Sequence, residues 1–162
     1  MAKKTAMYGL LLAFGMILSY IEALLPLDFI AYGVKLGLAN LICVYLLYRK
    51  NIRTAFAVNL LRILLVALLF GNVMTLLYSI CGGVLSLLVM IACKVTHVFS
   101  PVGVSVAGGV AHNIGQLLTA AVLLGSKAVL YYLPVLLIAG VVCGLLVGIV
   151  SAWMIARIDI AL

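Results

Sequence analysis

The sequence predicts an all-α integral membrane protein, a bundle of six transmembrane helices with both termini in the cytoplasm. Three observations carry that expectation. Hydrophobic residues make up 69% of the 162 residues and charged residues only 8%, where an ordinary soluble domain carries about 25% charged residues. The mean hydropathy is +1.45. The apolar residues fall into long runs comparable to the ~20 residues a helix needs to cross a bilayer, with short polar breaks between them. So few charges could not keep so apolar a chain in water, and a soluble globular enzyme is excluded before any motif is read.

The spans fall at about 6–25, 33–49, 53–70, 73–95, 101–124 and 129–157. The first follows Lys3 and Lys4 and runs through Glu22 to Pro26. No small-residue cleavage site follows it, so it reads as a retained helix and not a signal peptide. Pro26, Asp28 and Gly33 mark the first break, and Arg49, Lys50, Asn51 and Arg53 the second. Gly71-Asn72 is a tight turn, Lys94 to Pro101 the fourth connection, and Gly125-Ser126-Lys127 the fifth. No connection is long enough for a soluble module, so residues 1–162 form a single transmembrane domain.

The net charge of +7 comes from ten Lys and Arg against three Asp and Glu. The basic residues cluster at span ends, as topology signals and not as a nucleic-acid surface. With the N-terminus inside, the inner flanks hold Lys3, Lys4, Arg49, Lys50, Arg53, Lys94 and Arg157, and the outer flanks only Lys35 and Lys127. This places both termini in the cytoplasm of a multi-pass plasma-membrane protein. Tyr131 and Tyr132 lie near one end of the last span and Trp153 near the other, where interfacial anchors belong. Cys43, Cys81, Cys93 and Cys143 each stand alone in an apolar run, which reads as free thiols and gives no metal-binding spacing.

Small residues mark packing faces. Gly140, Gly144, Gly148, Ala152 and Ala156 recur every fourth residue on the last span, and Ala107, Ala111 and Gly115 on the fifth. Such stripes let helix backbones approach closely. Gly9 and Ala13 form a small-x3-small pair on the first span.

Polar groups inside the spans are the candidates for function, because a charge at the bilayer centre costs on the order of 3 kcal/mol on insertion scales. Glu22 lies near the outer end of span 1, and Lys35 begins span 2 on the same side, in reach of an ion pair. Asn40 lies at mid-depth on span 2. Asn59 and Arg62 share a face of span 3, and His112 and Gln116 share a face of span 5 with Asn113 beside them. An isolated Asn or Gln in a span ordinarily serves as interhelical glue. Arg62 is different, because it cannot shed its proton and needs a carboxylate, carbonyls or an anionic ligand. If Glu22 pairs with Lys35, Arg62 is left to meet a ligand in a polar pocket open to the outside.

Several chemistries lack their residues. Three acids cannot supply paired aspartate-rich diphosphate–Mg²⁺ motifs. There is no P-loop, no haem-attachment motif, no metal motif and no nucleophile–histidine–acid set. Catalysis by this chain alone is not expected.

The stretches Tyr20–Pro26 (YIEALLP), Gly33–Asn40 (GVKLGLAN), Gly82-Gly83 with Ser86 (GGVLS) and His112–Gln116 (HNIGQ), together with Arg62, resemble the Gx transporter family, also called heptaprenyl diphosphate synthase component I. The architecture resembles the substrate-binding S component of energy-coupling-factor transporters. The resemblance covers essentially the whole chain. It implies a six-helix bundle that binds a vitamin-like or isoprenoid/quinone-related molecule among its helices for uptake. It also implies small residues on helix 1, here Gly9 and Ala13 in place of the usual AxxxA, that dock on a coupling subunit with its ATPases. Two alternatives stand beside uptake. One is a membrane subunit of quinone- or flavin-linked extracellular electron transfer, with a bound quinone or flavin as cofactor and a membrane redox partner. The other is an accessory component of a prenyl diphosphate synthase.

Overall fold

A computed structural model describes residues 2–24, 37–49 and 51–158. They form α1 (Ala2–Leu24), α2 (Asn40–Arg49), α3 (Ile52–Phe70), α4 (Val73–Val95), α5 (Pro101–Leu124) and α6 (Leu133–Arg157), with a short 3-10 helix at Lys127–Tyr132 before α6. Among the described residues five helices are long and apolar enough to cross a membrane, all but α2.

The polar breaks act as helix caps. Asn51 caps α3 by accepting from the backbone N–H of Thr54 at 2.7 Å. Asn72 and Thr75 form a reciprocal capping box at the start of α4. Ser100 caps α5 with Pro101 in its first turn, and Gly125, at φ +59°, ends α5 in the left-handed region. Residues 127–132 form the 3-10 helix and α6 continues from Leu133, so the apolar segment long enough to cross runs over Lys127–Arg157 in two helical pieces.

The second span departs most from expectation. Residues 33–36 lie outside the described set, residues 37–39 are not helical, and α2 has only ten residues. At 1.5 Å per residue that is about 15 Å, half the hydrocarbon thickness. Gly37 lies at φ +68°, and the N–H of Asn40 bonds back to the Gly37 carbonyl at 2.8 Å in a turn that opens the helix. Every residue from Asn40 to Leu47 is buried.

The other five helices surround α2, which touches each of them. Around it α1 packs on α3, α3 on α4, α4 on α5, and α5 on α6. Lipid tails are as apolar as leucine, so close packing and hydrogen bonds hold such a bundle together. The α5–α6 seam shows how. The backbone of Gly140 lies against Val110, that of Gly144 against Val106 and that of Gly148 against Val102, an antiparallel ladder with a four-residue step. Gly109 faces the Gly140 carbonyl from the other side. The α4–α5 seam repeats the device, with Gly115 against Gly82 and Gly108 against Met90.

The C-terminal end of α2 is tied down at three places. The Tyr45 hydroxyl donates to the Ile158 carbonyl at 3.2 Å and the Tyr48 hydroxyl to the Phe99 carbonyl at 3.5 Å. The Lys94 ammonium donates to the Leu47 carbonyl and lies 5.4 Å from the Tyr48 ring centroid. This end of the bundle carries Arg49, Arg53, Lys94 and Arg157. At the opposite end, Tyr20 of α1 meets Phe70 of α3 with ring centroids 4.8 Å apart.

Candidate functional site: a polar belt at mid-depth

α1 presents Leu11, Gly15 and Ser19 inward, one every fourth residue, and all three are buried. Gly15 leaves room for the stem of Arg62: a Cβ at Gly15 would lie 3.3 Å from Arg62 Cδ and 3.7 Å from Ile42 of α2. The guanidinium then reaches Ser19, donating from Nη1 to the hydroxyl at 2.7 Å. Its Nη2 donates to Asn59 Oδ1 at 2.8 Å, one turn back on α3. Nε has no hydrogen-bond partner among the described residues. Both acceptors are neutral oxygens. They orient the cation and spread its charge without cancelling it.

Asn59 is the hub. Its Oδ1 also accepts from the Cys43 thiol at 3.3 Å, and its Nδ2 donates to the Gly83 carbonyl at 3.3 Å. α3 thereby joins α2 and α4 as well as the arginine. Gly83 faces this group: a Cβ there would lie 2.6 Å from Ile63 Cδ1 and 3.5 Å from Asn59 Nδ2. Gly82, about 100° around the helix, faces the other group. A Cβ on it would lie 2.8 Å from Gln116 Cγ and 3.1 Å from His112 Cε1. The glycine pair is the narrow bridge between the Arg62–Asn59 group and the His112–Gln116 group.

Gln116 is 6% exposed, and neither its Oε1 nor its Nε2 has a hydrogen-bond partner among the described residues. An unpartnered buried amide costs about 1–3 kcal/mol by mutational measures. Ser86 Oγ on α4 and Ser105 Oγ on α5 are likewise buried without a partner among these residues.

The expected site residues therefore divide. Arg62 and Asn59 are in direct contact, and His112 and Gln116 lie together one helix away, across Gly82-Gly83. Asn40 is buried at the start of α2. Asn113, 2% exposed, donates from Nδ2 to the Leu136 carbonyl of α6 at 2.8 Å, while its Oδ1 has no partner among the described residues. Glu22 accepts from the backbone N–H of Gly37 at 2.5 Å, so it closes the turn ahead of α2. Lys35, its expected ion-pair partner, lies outside the described residues. Gly9 and Ala13 face away from the bundle: Ala13 is exposed, and a Cβ at Gly9 would meet nothing within 4 Å. Ser19, Cys43 and the Gly83 carbonyl are partners that sequence reasoning missed. The Leu11–Gly15–Ser19 spacing was the available signal for the first.

These features define a polytopic, all-helical membrane protein with a band of polar side chains across its middle. The family model for heptaprenyl diphosphate synthase component I matches residues 11–154, and the chain belongs to that family. The match spans the whole polar belt, from Ser19 to Gln116. No curated protein and no solved structure matches the chain.

Proposed function

We propose that this protein is a substrate-binding membrane subunit resembling an energy-coupling-factor S component. It takes up a small vitamin-like or isoprenoid/quinone-related ligand that carries an anionic or carbonyl group. The observation that carries this reading is Arg62. A permanently charged guanidinium sits in the middle of a span on two neutral acceptors, while Glu22, the one carboxylate among the described residues, is engaged at the Gly37 amide. An anionic group on Arg62 would supply the missing countercharge, and Gln116 and His112 lie on the neighbouring face to read the rest of the molecule. In this reading the ligand reaches Arg62 from the α1–α3 end of the bundle that holds Tyr20 and Phe70, taken as the outer side, with both termini in the cytoplasm of the plasma membrane. The outward-facing Gly9–Ala13 pair suits docking on a coupling subunit.

The test is purification in mild detergent, followed by absorbance spectroscopy and mass spectrometry of any small molecule that accompanies the protein. The expected result is a bound anion or carbonyl compound that is lost in Arg62→Ala and weakened in His112→Ala. Retention of that compound unchanged in both variants would refute the site. A chromophore whose spectrum changes on reduction would assign the pocket to electron transfer.

The family description favours a second reading, an accessory component of a prenyl diphosphate synthase. It predicts a stable complex with a soluble synthase partner and a higher yield of product on mixing. Unchanged synthase activity in the absence of this protein would remove it.

A further inference from the structure

At the Gln116 end of the belt, hydrogen-bonding capacity exceeds what the protein uses. Gln116 is 6% exposed, and a carboxamide offers both donors and acceptors. Neither its oxygen nor its nitrogen has a partner among the described residues. Its neighbours on α5 behave differently. Thr119 donates to the Gly115 carbonyl of its own helix at 2.8 Å, and Asn113 donates from Nδ2 to the Leu136 carbonyl of α6 at 2.8 Å. Those side chains spend their donors on the fold, and Gln116 does not.

The backbone nevertheless makes room for it. A Cβ on Gly82 would lie 2.8 Å from Gln116 Cγ and 3.0 Å from the His112 carbonyl oxygen, so a larger residue at 82 would displace the Gln116 stem. Gly15 does the same for the stem of Arg62, with a Cβ position 3.3 Å from its Cδ. Two glycines thus admit two long polar side chains whose heads keep unused groups, Nε of Arg62 and the whole amide of Gln116. Asn113 lies one turn before Gln116 on the same face of α5. Its Nδ2 is held at Leu136, and its buried Oδ1 has no partner among the described residues. The unused groups at this end are therefore mixed, a donor on Gln116 and acceptors on Gln116 and Asn113. Only a molecule that brings an N–H or O–H satisfies an acceptor. A quinone, with carbonyl oxygens alone, would engage Gln116 Nε2 and leave both acceptors buried and unpaired.

We infer that Gln116 reads a cis-amide edge, an N–H beside a C=O as in a lactam, imide or ureide, on the molecule whose anionic or carbonyl group meets Arg62. The inference rests on the uptake reading and narrows its ligand to a polar heterocycle. A cis-amide edge is built on the same N–C=O unit as the carboxamide of Gln116, so two bonds form side by side. Gln116 Oε1 accepts from the N–H of the edge, and Nε2 donates to its carbonyl. Asn113 Oδ1 remains for a second N–H. An internal water is the plain alternative, and it would give Gln116 no preference for such an edge.

The experiment follows thermal unfolding of the full-length protein in detergent at rising concentrations of uracil, 1,3-dimethyluracil and benzoate. Uracil carries the edge, its dimethyl analogue keeps the ring and carbonyls without an N–H, and benzoate is an anion without the edge. Affinity is read from the rise of the melting temperature with concentration. Uracil should bind about tenfold more tightly than 1,3-dimethyluracil, the value of two neutral hydrogen bonds. Gln116→Met, an apolar side chain of similar length, should abolish that preference. Its own melting temperature without any probe should rise, because an unpartnered buried amide has been removed. Equal binding of the two uracils, or binding of neither, would overturn the inference. A lower melting temperature of Gln116→Met would also overturn it, by giving the amide a structural role. Benzoate separates this inference from the uptake reading. A benzoate shift that is lost in Arg62→Ala, with no preference between the uracils, would leave the Arg62 site standing and refute the edge alone. No benzoate shift in the unaltered protein would refute the Arg62 site and, with it, the inference that rests on it.

Discussion

The α5–α6 ladder makes the sharpest prediction about what holds the bundle together. A Cβ placed on Gly144 would lie 2.7 Å from the Val106 Cα, 3.0 Å from the Ser105 carbonyl oxygen and 3.2 Å from the Val106 nitrogen. All three atoms are backbone, so no side chain can rotate aside. The closest is about 0.7 Å short of the 3.4 Å at which ordinary contact begins. Gly144→Ala must therefore push α6 off α5 or bend one of them, a strain of about 1–3 kcal/mol by analogy with overpacked cores. The proper reference is Gly9→Ala, because a Cβ there meets nothing within 4 Å. Both substitutions gain the helix propensity of alanine, up to about 1 kcal/mol, so their difference reports the clash alone. At about 2–4 °C per kcal/mol for a chain of this size, Gly144→Ala should melt roughly 2–12 °C below Gly9→Ala. Thermal unfolding in detergent with a thiol-reactive dye measures this directly. The buried Cys43 and Cys143 report the transition, and the exposed Cys81 sets the baseline. Coincident melting curves for the two variants would refute the register of the two helices.

The polar belt makes two further predictions in the same assay. Asn59→Leu removes an acceptor from Arg62 and the donor to the Gly83 carbonyl, and should destabilise by about 1–3 kcal/mol. Asn113→Leu breaks one neutral bond to Leu136 and should cost only about 0.5–2 kcal/mol, so a larger loss at Asn113 would contradict the hub assigned to Asn59. Glu22→Ala removes the acceptor of the Gly37 amide and should lower the melting temperature, and an unchanged melting temperature would show that the Glu22–Gly37 bond contributes nothing.

Most of the helix boundaries were legible because the caps are encoded locally. Gly71-Asn72, Ser100-Pro101 and Gly125 end or begin helices by backbone chemistry that needs no tertiary partner. The small-residue stripe on the last span was legible as a packing face for the same reason, since its period of four is a property of one helix. Span 2 was not. Hydropathy does not show the turn at Gly37, after which the described helix covers Asn40–Arg49. The site was half legible. Asn59 with Arg62, and His112 with Gln116, follow from spacing on one helix. The contacts of Arg62 with Ser19 and of Asn59 with Gly83 join different helices, and no spacing rule reaches them. Likewise the bonds of Asn113 to the Leu136 carbonyl and of Glu22 to the Gly37 amide join different elements, beyond the reach of a spacing rule.

The half-length of α2 explains part of the polar belt and isolates the part that needs another cause. A helix that starts buried within a bundle leaves its first amides without intrahelical acceptors, and buried non-helical backbone must find its partners within the protein. Glu22 on the Gly37 amide, the Asn40–Gly37 turn and the enclosure of Asn40–Leu47 by five helices meet that demand. Asn59 and Ser151 add interhelical bonds to the Cys43 thiol and the Leu41 carbonyl. None of these needs a cation. Removing Arg62 would remove none of these bonds to α2. Interhelical hydrogen bonds give Glu22 and Asn59 partners, while Arg62 Nε, Asn113 Oδ1 and the carboxamide of Gln116 have none among the described residues. Under the proposed uptake function, those groups are where a ligand's chemistry should be sought.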